Sequence, residues 1–473
     1  MACVSQKAPN HFARHKLVMR DLLLFAIVFW ALLKVFARPH IGIYLWTWIG
    51  LMNPHRLAWG MAYEFPFAAV IGGVTLISLL FSKAPRRMVW SRETVLLVLF
   101  VLWMILTTLF AFDTVLAFDY LSRVLKIQLF VFLTIYLITD KEKLMGLLWI
   151  TVASLGFYGV KGGIFTLLGG GADRVWGPEG TFIGGNNEVA LALIMTVPLM
   201  FYLMHQTQRK WARYAMMGAI FLTALAIVGS QSRGAFVGGI AMGGLLWLKS
   251  RQKLGAGILI AVTVITIMML MPESWWERME SIGSYQQDAS AMGRINAWWT
   301  AWNVASSNVL GGGFRMFTIA TFHLYAPNPL DMHDAHSIYF QVLGEHGFIG
   351  LGLFLLLGLT TWLRCGQVIR LARKNPEQKW AGDLASMLQV SLLGYGVSGA
   401  FLGLAYFDYY YHLIAITLIT WNLTQQAPNA STAPTTPSRR RQNHTPVKQK
   451  MGVGRRANSN SKSAVSMTPD GRG

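Results

Sequence analysis

Residues 83–112 read KAPRRMVWSRETVLLVLFVLWMILTTLFAF: the cations Lys83, Arg86, Arg87 and Arg92, then an almost unbroken apolar run from 93 to 112. A run of about 20 apolar residues crosses the hydrocarbon of a bilayer as a helix. Lys and Arg beside such a helix are retained on the cytoplasmic side. The pattern repeats downstream, with apolar runs at 118–138, 144–168, 188–205, 211–229, 233–249, 254–271, 337–363, 384–403 and 405–424. Lys141 and Lys143, Arg209 and Lys210, Lys249 to Lys253, and Arg364 to Lys374 fall where alternation puts the inside. Upstream, Lys7, Arg14, Lys16 and Arg20 place the N-terminus inside as well, so an even number of crossings precedes Lys83. Runs at 21–37, 40–52 and 66–82 supply them; the middle one, short and closed by Asn53-Pro54, is expected to be partial or interfacial.

The expectation is an all-α polytopic integral membrane protein with about 12 transmembrane helices. Its parts are a cytoplasmic N-terminus (1–20), spans over 21–271, one large helical outer loop (272–336), C-terminal spans (337–424), and a disordered basic cytoplasmic tail (425–473). Composition agrees, with 54% hydrophobic and 13% charged residues against the roughly 25% charged residues of soluble domains. The net charge of +20 is spread over the tail from Arg439, with nine basic residues and one acid, and over loops beside spans. Positive-inside bias and anionic lipid account for it, so membrane lipids are expected partners and nucleic acid is not. Cys3 and Cys365 are the only cysteines, both expected inside, which leaves no structural disulfide or thiolate metal cluster. No small-residue cleavage site follows the first apolar run, so no cleavable signal peptide is expected.

Some cations defy the orientation rule. Arg123, Lys126, Lys161, Arg174, Arg233 and Arg294 fall at or just inside the outer face. A cation so placed needs an anion or a polar cavity. Arg123 and Lys126 share a helix face, and Lys161 sits similarly in the next span. Together they suit a diphosphate, although snorkelling to the interface would also accommodate them. Arg233 ends the short turn Gly229-Ser230-Gln231-Ser232-Arg233, where a guanidinium fork matches phosphate oxygens. Arg294, after Gly293, opens the second of two amphipathic stretches of the outer loop, 274–281 and 291–307. An ion pair with Glu277 or Asp288 is the alternative for each. Trp275, Trp276, Trp298, Trp299 and Trp302 in the same stretches form either an interfacial belt or a lid.

His336, in His333-Asp334-Ala335-His336-Ser337, stands where the outer loop re-enters the membrane. A neutral imidazole there can take a proton from an attacking hydroxyl; a helix-capping histidine is the alternative. His333 and Asp334 invite a metal reading, but no Cys or third carboxylate is suitably spaced, and no metal is expected. Asn187, in Gly184-Gly185-Asn186-Asn187-Glu188, either binds sugar hydroxyls or belongs to a turn that caps a helix. Asp408 with Tyr409, Tyr410, Tyr411 and His412 reads as an aromatic belt. Without an Asp-x-Asp motif, metal-assisted transfer from a sugar nucleotide is unsupported.

The Ser-x-Ser-Arg-Gly turn, the outer loop bearing Gly293-Arg294, then His336-Ser337-x-Tyr339 leading into Gly344-Glu345-His346-Gly347-Phe348-Ile349-Gly350, resemble the O-antigen ligase superfamily over about 180–350. That superfamily also holds O-antigen polymerases and bacterial protein O-oligosaccharyltransferases. Met19 through Ser82 is similar to the branch of exosortase-associated O-glycosylation ligases. The resemblance implies a GT-C-like fold and a glycan moved from undecaprenyl diphosphate without metal or other cofactor. It makes His336 the catalytic histidine and Arg233 and Arg294 the essential outer arginines, with Arg174, Arg123, Lys126, Lys161 and Asn187 as candidate substrate contacts. The expected function is an inverting O-antigen ligase of a bacterial inner membrane, its site facing the periplasm and its acceptor a lipid A–core hydroxyl. A polymerase or a protein oligosaccharyltransferase would differ in acceptor alone. A lipid-linked glycan flippase would instead distribute charge through the membrane depth, often with internal repeats.

Overall fold

The computed structural model describes residues 11–431, apart from 59, 84, 85, 87, 251 and 281–288. Among them every regular element is helical. In chain order these are α1 (His11–Val35), α2 (His40–Met52), α3 (Met61–Glu64), α4 (Phe67–Phe81), α5 (Arg92–Leu109), α6 (Thr114–Leu137), α7 (Lys141–Leu168), α8 (Asn186–Gln206) and α9 (Lys210–Gly229). They continue as α10 (Arg233–Lys249), α11 (Lys253–Leu270), α12 (Glu273–Glu280), α13 (Ala289–Ser307), α14 (Ile319–Tyr325), α15 (Ile338–Ala372), α16 (Lys379–Gly399) and α17 (Asp408–Ser431). A helix stands at every expected apolar run. Seven of them, α5 to α9, α11 and α15, are long and apolar enough by themselves to cross a membrane, against the twelve or so expected. At 15 and 17 residues, α4 and α10 fall short of the usual length.

Polar residues at the chain's turns start these helices. Ser91, Asp113, Asp140 and Ser232 each accept a bond from a backbone N–H three residues on, at 2.9–3.3 Å, opening α5, α6, α7 and α10. Asn53, left-handed at φ 50°, closes α2, and Pro54 prevents its continuation. Helix α8 forms the centre, packed by α7, α9, α10 and α16, with 89% of its most apolar stretch buried. Helix α11, more apolar still, is 11% buried and lies at the rim.

The aromatic-belt reading of 408–412 is corrected. Asp408, Tyr409, Tyr411 and His412 are buried: Tyr409 Oη meets the Met195 carbonyl of α8 at 3.4 Å, and His412 Nε2 lies 3.3 Å from Thr47 Oγ1. The polar tips of Tyr409 and His412, which a belt would place in headgroups, here find partners inside the protein. The helix α17 runs to Ser431, past the expected start of the tail at 425, and the remainder of the tail lies outside the described residues. Cys365 is buried as a free thiol, while Cys3 lies outside the described residues.

Candidate active site

Backbone geometry around α15 builds the site. Gly347 takes φ 67°, breaking the helix between two and three turns after its start. The break frees the carbonyls of Gly344 and Glu345, which accept instead from the N–H groups of Gly312 and Gly313 at 2.8 and 2.9 Å. The two backbones approach so closely that a Cβ on Gly347 would stand 2.3 Å from the Val309 carbonyl oxygen. Two residues after Gly313, Arg315 faces the cavity. Its own φ is 58°, its N–H donates to Glu345 Oε1 (2.9 Å), and its guanidinium lies 5.3 Å over the Tyr120 ring. The other oxygen of buried Glu345 accepts the Tyr406 hydroxyl at 2.6 Å. Glu345 is thus fully engaged and acts as a buried brace.

His336 enters the same cavity from the other side. The Trp298 indole donates to the Ala335 carbonyl (2.7 Å) and stacks on Phe340 at 4.9 Å, pinning the residues on either side. His336 itself has φ 42°, a left-handed conformation that costs a side-chain-bearing residue about 1–2 kcal/mol. Such strain persists only where surroundings enforce it, and often at functional positions. Burial holds the half-buried imidazole below its ordinary pKa of 6.5; the Arg294 cation adds to this, Asp334 opposes it and His333 adds slightly. The ring is therefore neutral near pH 7 and able to accept a proton. His336, Arg315, Glu345, Asp334, Tyr120 and Glu188 all face one cavity of about 440 Å³.

The other expected residues divide. Arg294 stands one position after Gly293, whose missing Cβ makes room for the His333 ring, and its charge bears on both His336 and Glu188. His333 Nδ1 lies 2.9 Å from Asp331 Oδ1. Arg233 is the first residue of α10. Its turn is held by Asn186 Nδ2 donating to the Ser230 carbonyl (2.8 Å) and by Gln231, at φ 56°, donating to the carbonyls of Gly171 (3.0 Å) and Ala172 (3.1 Å). Val175 N–H donates to the Gly229 carbonyl (3.0 Å), which sets the half-buried Arg174 beside the same turn. The loop after α16 joins the two halves: Phe401 presses on Gly234, and Gly403 lies against the His336 backbone. Arg123 is exposed one turn beyond Tyr120, on which its charge acts; Lys126 is exposed further along. Lys161 borders a separate apolar groove of about 660 Å³ between α7, α8 and α9. At the start of α8 it is Asn186, rather than the half-buried Asn187, that ties α8 to the Ser230 turn. Trp275 is buried and bonded to the Val228 carbonyl (3.3 Å), whereas Trp299 and Trp302 are exposed. Among the described residues no three of His, Cys, Asp and Glu are grouped to hold a metal ion.

Glu188 and Glu345 belong to motifs legible in the sequence, whereas Arg315, Tyr120 and Tyr406 carry no such mark. The signal available was Gly311-Gly312-Gly313, three glycines in an outer loop two positions before Arg315, with Phe314 between.

Two family profiles match the chain. One, described as O-antigen ligase, matches residues 218–355; the other, a family of unknown function (DUF5935), matches residues 19–208. The comparison with curated proteins gave no match. The boundary between the two regions is not a structural one, since α7 and α8 pack tightly on α9. The cavity crosses it too: Tyr120 and Glu188 come from the first region, and Arg315, His336 and Glu345 from the second.

Proposed function

We propose that this chain, of which residues 218–355 match the O-antigen ligase family, is a metal-independent, inverting glycosyltransferase of the bacterial inner membrane. It moves a glycan from undecaprenyl diphosphate to a hydroxyl of lipid A–core at the periplasmic face. The observation carrying this reading is the His336 imidazole sharing a cavity with the Arg315 guanidinium, with the charge of Arg294 acting on it.

In the proposed step an acceptor hydroxyl gives its proton to the free nitrogen of His336 as its oxygen attacks the anomeric carbon. The bond from that carbon to the diphosphate oxygen breaks on the opposite face, inverting the centre. Charge grows on the leaving diphosphate, and Arg294, Arg315 and Arg233 stabilise it. To accelerate the reaction, at least one of these cations must bind more tightly as that charge develops. Arg174, Arg123 and Lys126 line the approach of the diphosphate, Asn187 contacts sugar, and Lys161 serves the polyprenyl chain at its apolar groove. Glu345 positions Arg315 by accepting its backbone N–H.

The test is transfer by purified protein in detergent with a chelator present, given undecaprenyl-diphosphate glycan and lipid A–core, comparing wild type with His336→Ala. Product from wild type alone supports a ligase with His336 in its site. Elongated lipid-linked glycan would make it a polymerase, and glycosylated protein acceptor an oligosaccharyltransferase. No product with any acceptor in the shared micelle would point to a flippase.

A further inference from the structure

The helices that carry the His336 cavity at one end enclose a second cavity at the other. It holds about 500 Å³ and lies among the last turns of α8, α10 and α15 and the first turns of α11 and α16. Helix α8 alone, 21 residues long, separates the two by about 30 Å, the thickness of a hydrocarbon core. The sequence places this end among the basic loops, on the side opposite the proposed chemistry.

Lys249, Arg373 and Lys379 converge on the cavity against one acid, Asp383. Cations do gather at helix C-termini, where carbonyls carry partial negative charge. That explains Lys249, whose ammonium donates to Gln389 Oε1. It accounts equally for Arg373, which caps the C-terminus of α15, but not for Lys379, the first residue of α16, and the charge of Arg373 acts repulsively on Lys249. A second, independent feature lies in the wall. Ser250 is 5% exposed, and among the described residues its hydroxyl has no hydrogen-bond partner. Buried hydroxyls are rarely left so. An anionic oxygen in the cavity would relieve the repulsion and accept from Ser250 together.

Beside the cations and the polar His205, Gln206, Gln252 and Ser386, the lining offers an apolar surface of Phe201, Ile369, Met387 and Trp380. A free phosphate has nothing to set against that surface, whereas a glycerophospholipid has its glycerol and upper acyl chains. The geometry points to a headgroup site for an anionic phospholipid at this end of the bundle, with its phosphate between Arg373, Lys379 and Ser250. Basic pockets between spans on the cytoplasmic side suit such headgroups.

The experiment uses delipidated full-length protein in neutral detergent, titrated with phosphatidylglycerol, phosphatidylcholine or inorganic phosphate. Native mass spectrometry reads retained lipid, and thermal unfolding reads stabilisation. Phosphatidylglycerol should bind in preference to phosphatidylcholine and raise Tm. The double variant R373Q/K379Q should bind it roughly 30-fold more weakly, as loss of two interfacial cations implies. Ser250→Ala, which keeps every charge, should weaken binding by a smaller factor. R209Q/R213Q, a control of equal charge outside the cavity, should bind as wild type. Equal binding of phosphatidylcholine, or an equal loss in the control pair, overturns the site. Stabilisation by inorganic phosphate matching that by phosphatidylglycerol overturns the lipid assignment in favour of a soluble anion.

Discussion

The two ends of α15 solve the problem of charge in a membrane in opposite ways. At its far end Arg364, in the helix's penultimate turns, is closed off: Nε and Nη2 donate to the two oxygens of buried Glu93 at 3.1 and 3.0 Å, Nη1 reaches Gln367 at 2.9 Å, and Trp421 covers the guanidinium at 4.5 Å. Nothing there is strained. At the start, strain and open polar groups gather. Among the described residues four non-glycines have positive φ; three of them, Gln231, Arg315 and His336, lie at this end, and the fourth, Asn53, caps α2. Arg315, Glu188, Asp334 and His336 here line a shared cavity. A fold keeps local strain and unclosed charge where they serve chemistry and elsewhere removes both.

Paired substitutions at the two ends sharpen the contrast, and the largest effect is expected on rate. His336→Ala should lower transfer by about 10²–10⁴-fold, the usual contribution of a general base, with Tm unchanged. Glu93→Ala should do the reverse, leaving transfer per folded molecule intact while unfolding shows a loss of about 3–5 kcal/mol, because Arg364 is left buried and unpaired. A rate collapse in Glu93→Ala with Tm retained would break the comparison.

A step smaller, Glu345→Ala should slow transfer and destabilise by about 1–3 kcal/mol, since the Arg315 N–H and the Tyr406 hydroxyl both lose their acceptor. Glu345→Gln should recover most of the activity, because an amide can accept from Arg315 and donate to Tyr406; failure of that rescue would give Glu345 a role as an acid or base. Glycines within α15 separate next. Gly347→Ala should cost at least about 1–2 kcal/mol from its positive φ, and more from the Val309 contact. Gly352→Ala, with open space at its Cβ and helical backbone, should stabilise by about 0.5–1 kcal/mol. Smallest, Ser232→Ala removes the N-cap of α10 beside Arg233 and should cost about 1 kcal/mol in a denaturation midpoint.

Much of the fold was legible because bilayer length and charge asymmetry write themselves into sequence: every expected apolar run became a helix, and the start of α15 follows directly on His336. What was not legible depends on contacts between distant segments. Alternation and hydropathy could not tell the lipid-facing α11 from the protein-enclosed α8, nor a surface belt from the buried Tyr409 and Tyr411. The cluster at 311–315 needs the kink at Gly347, more than thirty residues on, before Arg315 and Glu345 meet. Lys161 shows the converse. Its place in the sequence suggested convergence with the other cations, whereas its helix turns it to a groove of its own.

The account rests on His336 as a neutral base whose pKa is held below 6.5 by burial and Arg294. The most direct test is the pH dependence of kcat/KM for glycan transfer. A base works only deprotonated, so the rate should fall as pH drops through the pKa of the free enzyme, with an acid limb centred below 6.5 and a plateau above it. An acid limb centred above 6.5, or a rate indifferent to pH across that range, would contradict the assignment.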